Sequence, residues 1–171
     1  MKPLIFIGMM GSGKTTIGKA LSKELNLTWI DTDDSIQKQS QLPIPTLFEI
    51  HGETYFRKLE SQTLKSVIDN YQCISTGGGI IVSQENRKLI KKEAFVIHLT
   101  ATIPTLIQRL NNSDRPLLQG VPLEERLISL LNLRTKFYTD CADLTIDTSF
   151  LTIEEIVEKI KSELDSNFLT Y

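Results

Sequence analysis

Apolar residues in this chain fall into short unbroken runs and into longer stretches with a three-to-four-residue spacing, and the two patterns alternate. Residues 4–7 are continuously apolar and stop at Gly8, as in a strand buried on both faces. Residues 14–25 place Ile17, Leu21 and Leu25 at helical spacing. Residues 28–30 read as a second strand ending at Asp31. A helical stretch follows from about Ser35 and is broken at Pro43 and Pro45. The spacing predicts a longer helix from Gly52 to about Asp69, with Phe56, Leu59, Thr63, Val67 and Ile68 turned inward. Residues 72–76 form a third strand that runs into Gly77-Gly78-Gly79. Ser83 is placed to cap a helix reaching Lys92, residues 94–99 give a fourth strand, and Pro104 opens a helix through Leu110. Residues 111–122 lack periodicity and contain Pro116, Gly120 and Pro122, which predicts a long loop of the kind that closes over a site. Leu123, Leu127, Leu130, Leu131 and Tyr138 mark another helix, residues 143–146 a fifth strand, and residues 152–164 a last helix before a tail expected to fray.

Strands that are apolar throughout and alternate with helices imply a parallel sheet covered on both faces. The predicted fold is therefore a three-layer α/β/α sandwich, with ligands beyond the carboxyl ends of the strands. The 171 residues, 40% apolar and 23% charged, fit one domain spanning 1–171. A net charge of −2 gives no global attraction to nucleic acid or to an anionic membrane, so neither is expected as a partner. Cys73 and Cys141 have no paired spacing and read as buried thiols in a reducing compartment. With no secretory pattern and no apolar run long enough to span a bilayer, the reading is cytoplasmic, and the absence of a coiled coil points to a monomer.

The strongest local signal is Gly8-Met9-Met10-Gly11-Ser12-Gly13-Lys14-Thr15, which fits G-x-x-x-x-G-K-[ST] between an apolar strand and an amphipathic helix. The pattern suits phosphate because backbone N–H groups must turn inward around it, and the following helix adds its positive end. Lys14 is expected to reach the β- and γ-phosphates and the Thr15 hydroxyl to ligate Mg²⁺. A nucleotide-binding protein follows, with ATP and Mg²⁺ as its expected companions.

The acceptor side is less contiguous. Asp31 and Asp33 follow the second strand, and two residues apart on an extended segment they face one way, so one can serve the metal and the other an acceptor hydroxyl. Alternatively one of them merely caps a helix beginning near Ser35. Gly77-Gly78-Gly79 is flanked by apolar residues and reads as a backbone cradle rather than a hinge. Arg57, Arg109, Arg115 and Arg134 are candidates for anion binding, with Glu53 and Glu60 spaced to brace Arg57. His98 reads as a satisfied core or edge residue, and His51 carries no functional signal.

Taken in order, these motifs resemble the shikimate kinase family over nearly the whole chain. The residues that carry the likeness are the loop Gly8–Thr15, Asp31-Thr32-Asp33, the stretch from Gly52 through Phe56-Arg57 to Glu60, Thr76 through Gly79, Arg109-Leu110, Arg115-Pro116-Leu117-Leu118 and Leu133-Arg134 before Tyr138. The resemblance implies ATP-dependent phosphorylation of the 3-hydroxyl of shikimate, on a P-loop kinase fold with strand order 2-3-1-4-5 and a lid at about 111–122. By the same resemblance Gly11, Ser12, Gly13, Lys14, Thr15 and Thr16 hold the nucleotide, Arg109 lies against adenine, and Arg115 closes with the lid onto the transferring phosphate. Asp33 meets the acceptor hydroxyl, while Asp31 and Ser75 support Mg²⁺ beside Thr15. Arg57 and Arg134 grip the shikimate carboxylate, the Gly78 and Gly79 backbone meets the ring hydroxyls, and Phe48 and Phe56 form apolar walls. The chain departs from the family's Gly-Ser-Ile-like turn at Leu42-Pro43-Ile44-Pro45. Rival readings are a gluconate or nucleoside monophosphate kinase of similar fold, or a silent nucleotide-binding module. The last would be expected to lack Lys14, Asp33 or Arg115, all of which are present.

Overall fold

The computed structural model of the protein describes residues 2–110 and 122–168. Its strands are β1 (Leu4–Ile7), β2 (Trp29–Asp31), β3 (Cys73–Ser75), β4 (Phe95–Thr100) and β5 (Leu144–Asp147). All pair in parallel, in the order β2-β3-β1-β4-β5. The helices are α1 (Lys14–Leu25), α2 (Thr32–Ser40), α3 (Ile44–Val67), α4 (Gln84–Glu93), α5 (Ile103–Leu110), α6 (Leu123–Cys141) and α7 (Ile153–Phe168), with a 3-10 turn at Ile80–Val82.

The two-residue period of the strands sorts the core into two sides. Leu4, Phe6, Cys73, Ile97 and Leu99 face α1 and α7, meeting Ile17, Leu21, Ile156 and Ile160. Ile5, Ile7, Ile74 and Val96 face the other way, toward Leu64 of α3, Ile90 of α4, Leu106 of α5 and Leu127 of α6. Each such side chain, fully buried, stabilises the fold by roughly 1.5–3 kcal/mol, and all four residues of β1 are completely covered. A third, smaller cluster of Ile36, Leu47 and Phe56 joins α2 to α3. Cys73 and Cys141 are buried free thiols, as expected, and burial pushes the Cys73 thiol up to about 11. Among the described residues no helix is long and apolar enough to cross a membrane.

Register decides what reaches the carboxyl edge of the sheet. Phe6 stands opposite Ser75, and Ser75 opposite Asp31. The turn after β1, the turn after β3 and the end of β2 therefore arrive side by side.

Local structure departs from expectation in four places. First, α2 starts at Thr32, ahead of Ser35, because the Asp31 carboxylate caps it by accepting the amides of Asp33 (2.9 Å) and Asp34 (3.4 Å). Asp31 and Asp33 are thus a cap and a first-turn residue, not two positions of one extended strand. Second, the break expected at Pro43 does separate α2 from α3, but the chain resumes as a helix already at Ile44, ahead of the expected start at Gly52. Pro43 is the N-cap of α3 and Pro45 sits in its first turn, where a missing N–H costs nothing. A further interruption comes at Gly52, whose φ of 78° and ψ of 172° kink α3. Third, the chain after the glycine triplet forms the 3-10 turn, which buries Ile80 and Ile81 in the core. Fourth, α7 continues into the stretch expected to fray, as far as Phe168, and residues 169–171 lie outside the described part. Of the predicted lid only Pro122 is described, as the exposed N-cap of α6; residues 111–121 lie outside the described part.

Candidate active site

Two cavities open at the carboxyl edge of the sheet. The first, of about 490 Å³, is lined by Gly11, Ser12, Gly13, Lys14, Thr15 and Thr16, with Arg109 and Thr148 opposite. Its loop exists because Gly8 turns the chain sharply at the end of β1. The Gly8 φ is 142°, and a Cβ there would collide with the Leu99 carbonyl oxygen of the neighbouring strand. Gly13 then caps α1. The buried Lys14 ammonium donates to the carbonyls of Gly8 (3.0 Å) and Met9 (2.8 Å), which keeps its charge at the mouth of the loop. Arg109 is fastened by hydrogen bonds to the Gly11 carbonyl (3.1 Å), the Thr148 hydroxyl (2.9 Å) and the Thr148 carbonyl (2.8 Å).

The acidic pair has a different geometry from the extended one expected. The Thr15 hydroxyl donates to Asp31 Oδ2 at 2.7 Å, while Asp31 Oδ1 caps α2. A hydroxyl and a carboxylate this close beside a phosphate loop suit a hard cation such as Mg²⁺, which takes few protein ligands and leaves the rest of its shell to phosphate and water. No group of three or more His, Cys, Asp or Glu residues suited to a metal occurs among the described residues. Ser75, which the resemblance places near the metal, is fully buried. Its hydroxyl donates to the Lys14 carbonyl (2.9 Å) and accepts from the Trp29 indole (3.1 Å), so in this structure it ties β3 to α1 and β2.

The second cavity, of about 400 Å³, is lined by Asp33, Phe48, Phe56, Arg57, Gly78, Gly79 and Arg134, together with Gln37, Ile44, Pro45 and Glu60. It shares Met10, Thr15, Asp31, Asp33, Gly77 and Gly78 with the first, so Asp33 stands where the two meet. The Phe48 and Phe56 rings lie 4.8 Å apart and make an apolar wall, with the Arg57 guanidinium 5.3 Å from the Phe56 ring centroid. Arg57 donates to Glu60 Oε2 at 2.8 Å and to Glu53 Oε1 at 3.1 and 3.2 Å, the bracing that the i−4 and i+3 spacing predicts. A Cβ on Gly79 would strike that guanidinium, so the glycine lets the cradle and the arginine close up. Arg134 is buried and donates to the Gly78 carbonyl at 3.3 Å.

Electrostatics here are governed by Glu60, which sits behind the cradle and is 1% exposed. Burial pushes its carboxyl up to about 7, Arg57 opposes that, and Asp33 adds to it. At Arg57 burial works against the charge, but Glu60 and Glu53 outweigh it and the pKa stands above its ordinary value. A Cβ on Gly77 would lie 2.5 Å from Asp33 Oδ1 and 2.8 Å from Glu60 Oε1, which places both carboxyl groups against the same glycine.

Apart from Ser75, every predicted site residue in the described part lines one of these cavities. Arg115 lies outside the described residues. Sequence reasoning missed Thr148, and it took Tyr138 only as a helix-stripe and family position. No local motif marks Thr148, whereas Tyr138 stands one helical turn after Arg134, a spacing that could have drawn notice. His98 is in the core as expected, stacked on Tyr138 with ring centroids 4.9 Å apart, but it is not satisfied: its Nδ1 is buried without a hydrogen-bond partner. Burial, with the Lys14 charge nearby, lowers it to about 4. His51 packs at a tilt against Tyr55 and lines neither cavity.

Comparison with known proteins agrees with this geometry. The family model described as shikimate kinase matches residues 10–165. A shikimate kinase of Caldicellulosiruptor bescii is 41% identical over 165 residues, covering 95% of each chain. One of Enterococcus faecalis is 40% identical, covering 96% of this chain and 99% of the relative. Among solved structures, shikimate kinase from Acinetobacter baumannii in complex with shikimate superposes with a TM-score of 0.95 at 32% identity, covering 99% of this chain and 96% of that one. With a family model spanning most of its length, and with phosphate loop, acidic pair, glycine cradle and paired arginines meeting at one edge of the sheet, the chain belongs to the shikimate kinase family.

Proposed function

We propose that the protein transfers the γ-phosphoryl group of ATP to the 3-hydroxyl of shikimate, giving shikimate 3-phosphate and ADP. The observation that carries this reading is the meeting of the two cavities at Asp33, with Arg57 and Arg134 at the acceptor end and the phosphate loop at the donor end. A small acid with ring hydroxyls suits the second cavity. Two guanidinium groups match a carboxylate, Phe48 and Phe56 cover a ring face, and backbone groups of Gly78 and Gly79 meet hydroxyls.

Phosphoryl transfer through a loose transition state needs alignment and charge stabilisation more than a strong base. The loop amides and the start of α1 hold the β- and γ-phosphates, and Lys14 turns from the loop carbonyls toward them. Asp33 orients the acceptor hydroxyl and receives its proton. Thr15 and Asp31 would hold Mg²⁺, which when bound would neutralise charge on the phosphates. Arg109 supports the nucleotide base, and Arg115 supplies positive charge to the transferring group as residues 111–122 exclude water.

The test is coupled ADP release with Mg-ATP against shikimate, gluconate and nucleoside monophosphates in parallel. Turnover with shikimate alone supports the reading. Turnover with gluconate or a nucleotide at comparable efficiency, or with none of the three, overturns it.

A further inference from the structure

Behind the glycine cradle, outside the lining of either cavity, lies a buried hydroxyl that the reaction sketched above does not use. Tyr138, on α6, is 1% exposed, and its hydroxyl donates to the Gly78 carbonyl at 2.5 Å. Arg134, one turn earlier on the same helix, donates to the same oxygen at 3.3 Å. The Tyr138 hydroxyl also lies 3.9 Å from Met9 Sδ, and its ring stacks on His98 of β4. Gly78 itself packs against the phosphate loop, since a Cβ there would sit 3.3 Å from both the Gly8 carbonyl oxygen and the Met10 nitrogen. One side chain thus touches the glycine cradle, the phosphate loop and the central sheet.

The peptide plane turns this contact into a functional one. Among the described residues no peptide bond is cis, so the Gly78 carbonyl and the Gly79 N–H point in opposite directions across one rigid unit. A carbonyl drawn toward α6 turns the Gly79 N–H away from α6, and Gly79 lines the acceptor cavity. The two donors to this carbonyl differ in their future. Arg134 must engage a carboxylate when substrate arrives, which draws its guanidinium away from Gly78. Tyr138 has no such competing task.

We propose that Tyr138 is a positioning residue for the acceptor: its hydroxyl holds the Gly78 carbonyl, keeping the Gly79 N–H aimed at a substrate hydroxyl and releasing Arg134 to bind the substrate carboxylate. This rests on the shikimate reading above. Burial pushes the phenol up to about 12, so it remains a donor throughout the working pH range.

Tyr138→Phe removes the hydroxyl and keeps the ring on His98. With Mg-ATP, the variant is expected to raise the shikimate KM about tenfold, the range for losing one buried hydrogen bond. The ATP KM should stay within about twofold and kcat within about threefold, the split expected when ground-state and transition-state binding are lost together. Amide exchange at Gly79 should quicken. Placing 4-aminophenylalanine at 138 restores a donor on the same ring and should bring the shikimate KM back to within about threefold of the parent. An unchanged shikimate KM in Tyr138→Phe, or a fall in thermal midpoint with all constants preserved, overturns the proposal. So does a 4-aminophenylalanine variant as impaired as the phenylalanine one, and that arm decides the matter even if Tyr138→Phe does not fold. A parent protein without shikimate turnover overturns the functional reading and this inference with it; normal parent turnover with an indifferent variant overturns this inference alone.

Discussion

The donor and acceptor cavities share a wall but are built in opposite ways. Eight consecutive residues, Met10 to Ile17, form the largest single contribution to the donor cavity, joined by Asp31, Asp33, Thr76 to Gly78, Arg109, Thr148, Leu151 and the start of α7. The acceptor cavity draws on shorter pieces, namely Met10 and Thr15, the start of α2, both halves of α3, the glycine triplet and α6, scattered from Met10 to Arg134. The first is mainly backbone, held by close contact with the neighbouring strand. The second mixes apolar, glycine and charged residues, with Arg57 held by the Glu53 and Glu60 carboxylates. Phosphate binding is accordingly a local property of a short segment, whereas choice of acceptor depends on several elements keeping their places.

The sharpest way to break this contrast is to add one methyl group to a glycine that shapes each cavity. Gly8→Ala drives a Cβ into the Leu99 backbone at a φ of 142°, and should cost more than about 3 kcal/mol of stability, read by denaturant unfolding. Gly79→Ala meets only the tip of Arg57 and should cost less than about 1 kcal/mol, while raising the shikimate KM about tenfold or more. Equal losses of stability would erase the distinction. Next, Asp33→Asn should lower kcat at least about a hundredfold while leaving ATP affinity within about twofold, measured by turnover and by nucleotide titration. A matching loss of ATP affinity would mean that the cavities are not separable at their junction. Arg134→Ala should raise the shikimate KM about thirtyfold with the ATP KM unmoved, the magnitude of a lost charge-assisted contact.

The smallest effect concerns pH. Glu60, raised to about 7 in the folded protein, keeps a proton that the unfolded chain releases near 4.5. Its contribution therefore favours folding below that range and is lost as pH rises from about 4.5 to 7, by about 1–3 kcal/mol. His98, lowered to about 4 from 6.5, acts in the other direction, because the unfolded chain takes up its proton first and stability falls as pH drops below about 6.5. Glu60→Gln should remove the first slope and leave the second, seen in unfolding midpoints between pH 5 and 7. An unchanged slope would show that Glu60 is already ionised behind the cradle.

Much of the site was legible because its residues follow strands. A parallel sheet carries whatever comes after each strand to one edge, so Gly8–Thr15, Asp31, Asp33 and Gly77–Gly79 were found together from order alone. The Arg57 braces were legible as helical spacing, and the structure has both. What escaped was set by capping and by long-range contact. The start of α2 was placed late because apolar spacing carries no sign of the Asp31 cap. Pro43 and Pro45 were read as breakers because the same residue that stops a helix also starts one. Thr148 and Tyr138 act through partners at Ser12, Arg109 and Gly78, and nothing near them in the chain names those partners.

The sequence by itself determined the strand and helix alternation, the phosphate loop and the family, because those depend on neighbours within a turn or two and on hydrophobic period. Only the tertiary structure decided that Asp31 serves Thr15 and α2 at once, that Glu60 is buried beside Asp33, and that one hydroxyl of α6 secures the glycine cradle. Each of those depends on burial and on distances of about 3 Å between groups far apart in the chain, and such distances are fixed by packing rather than by spacing.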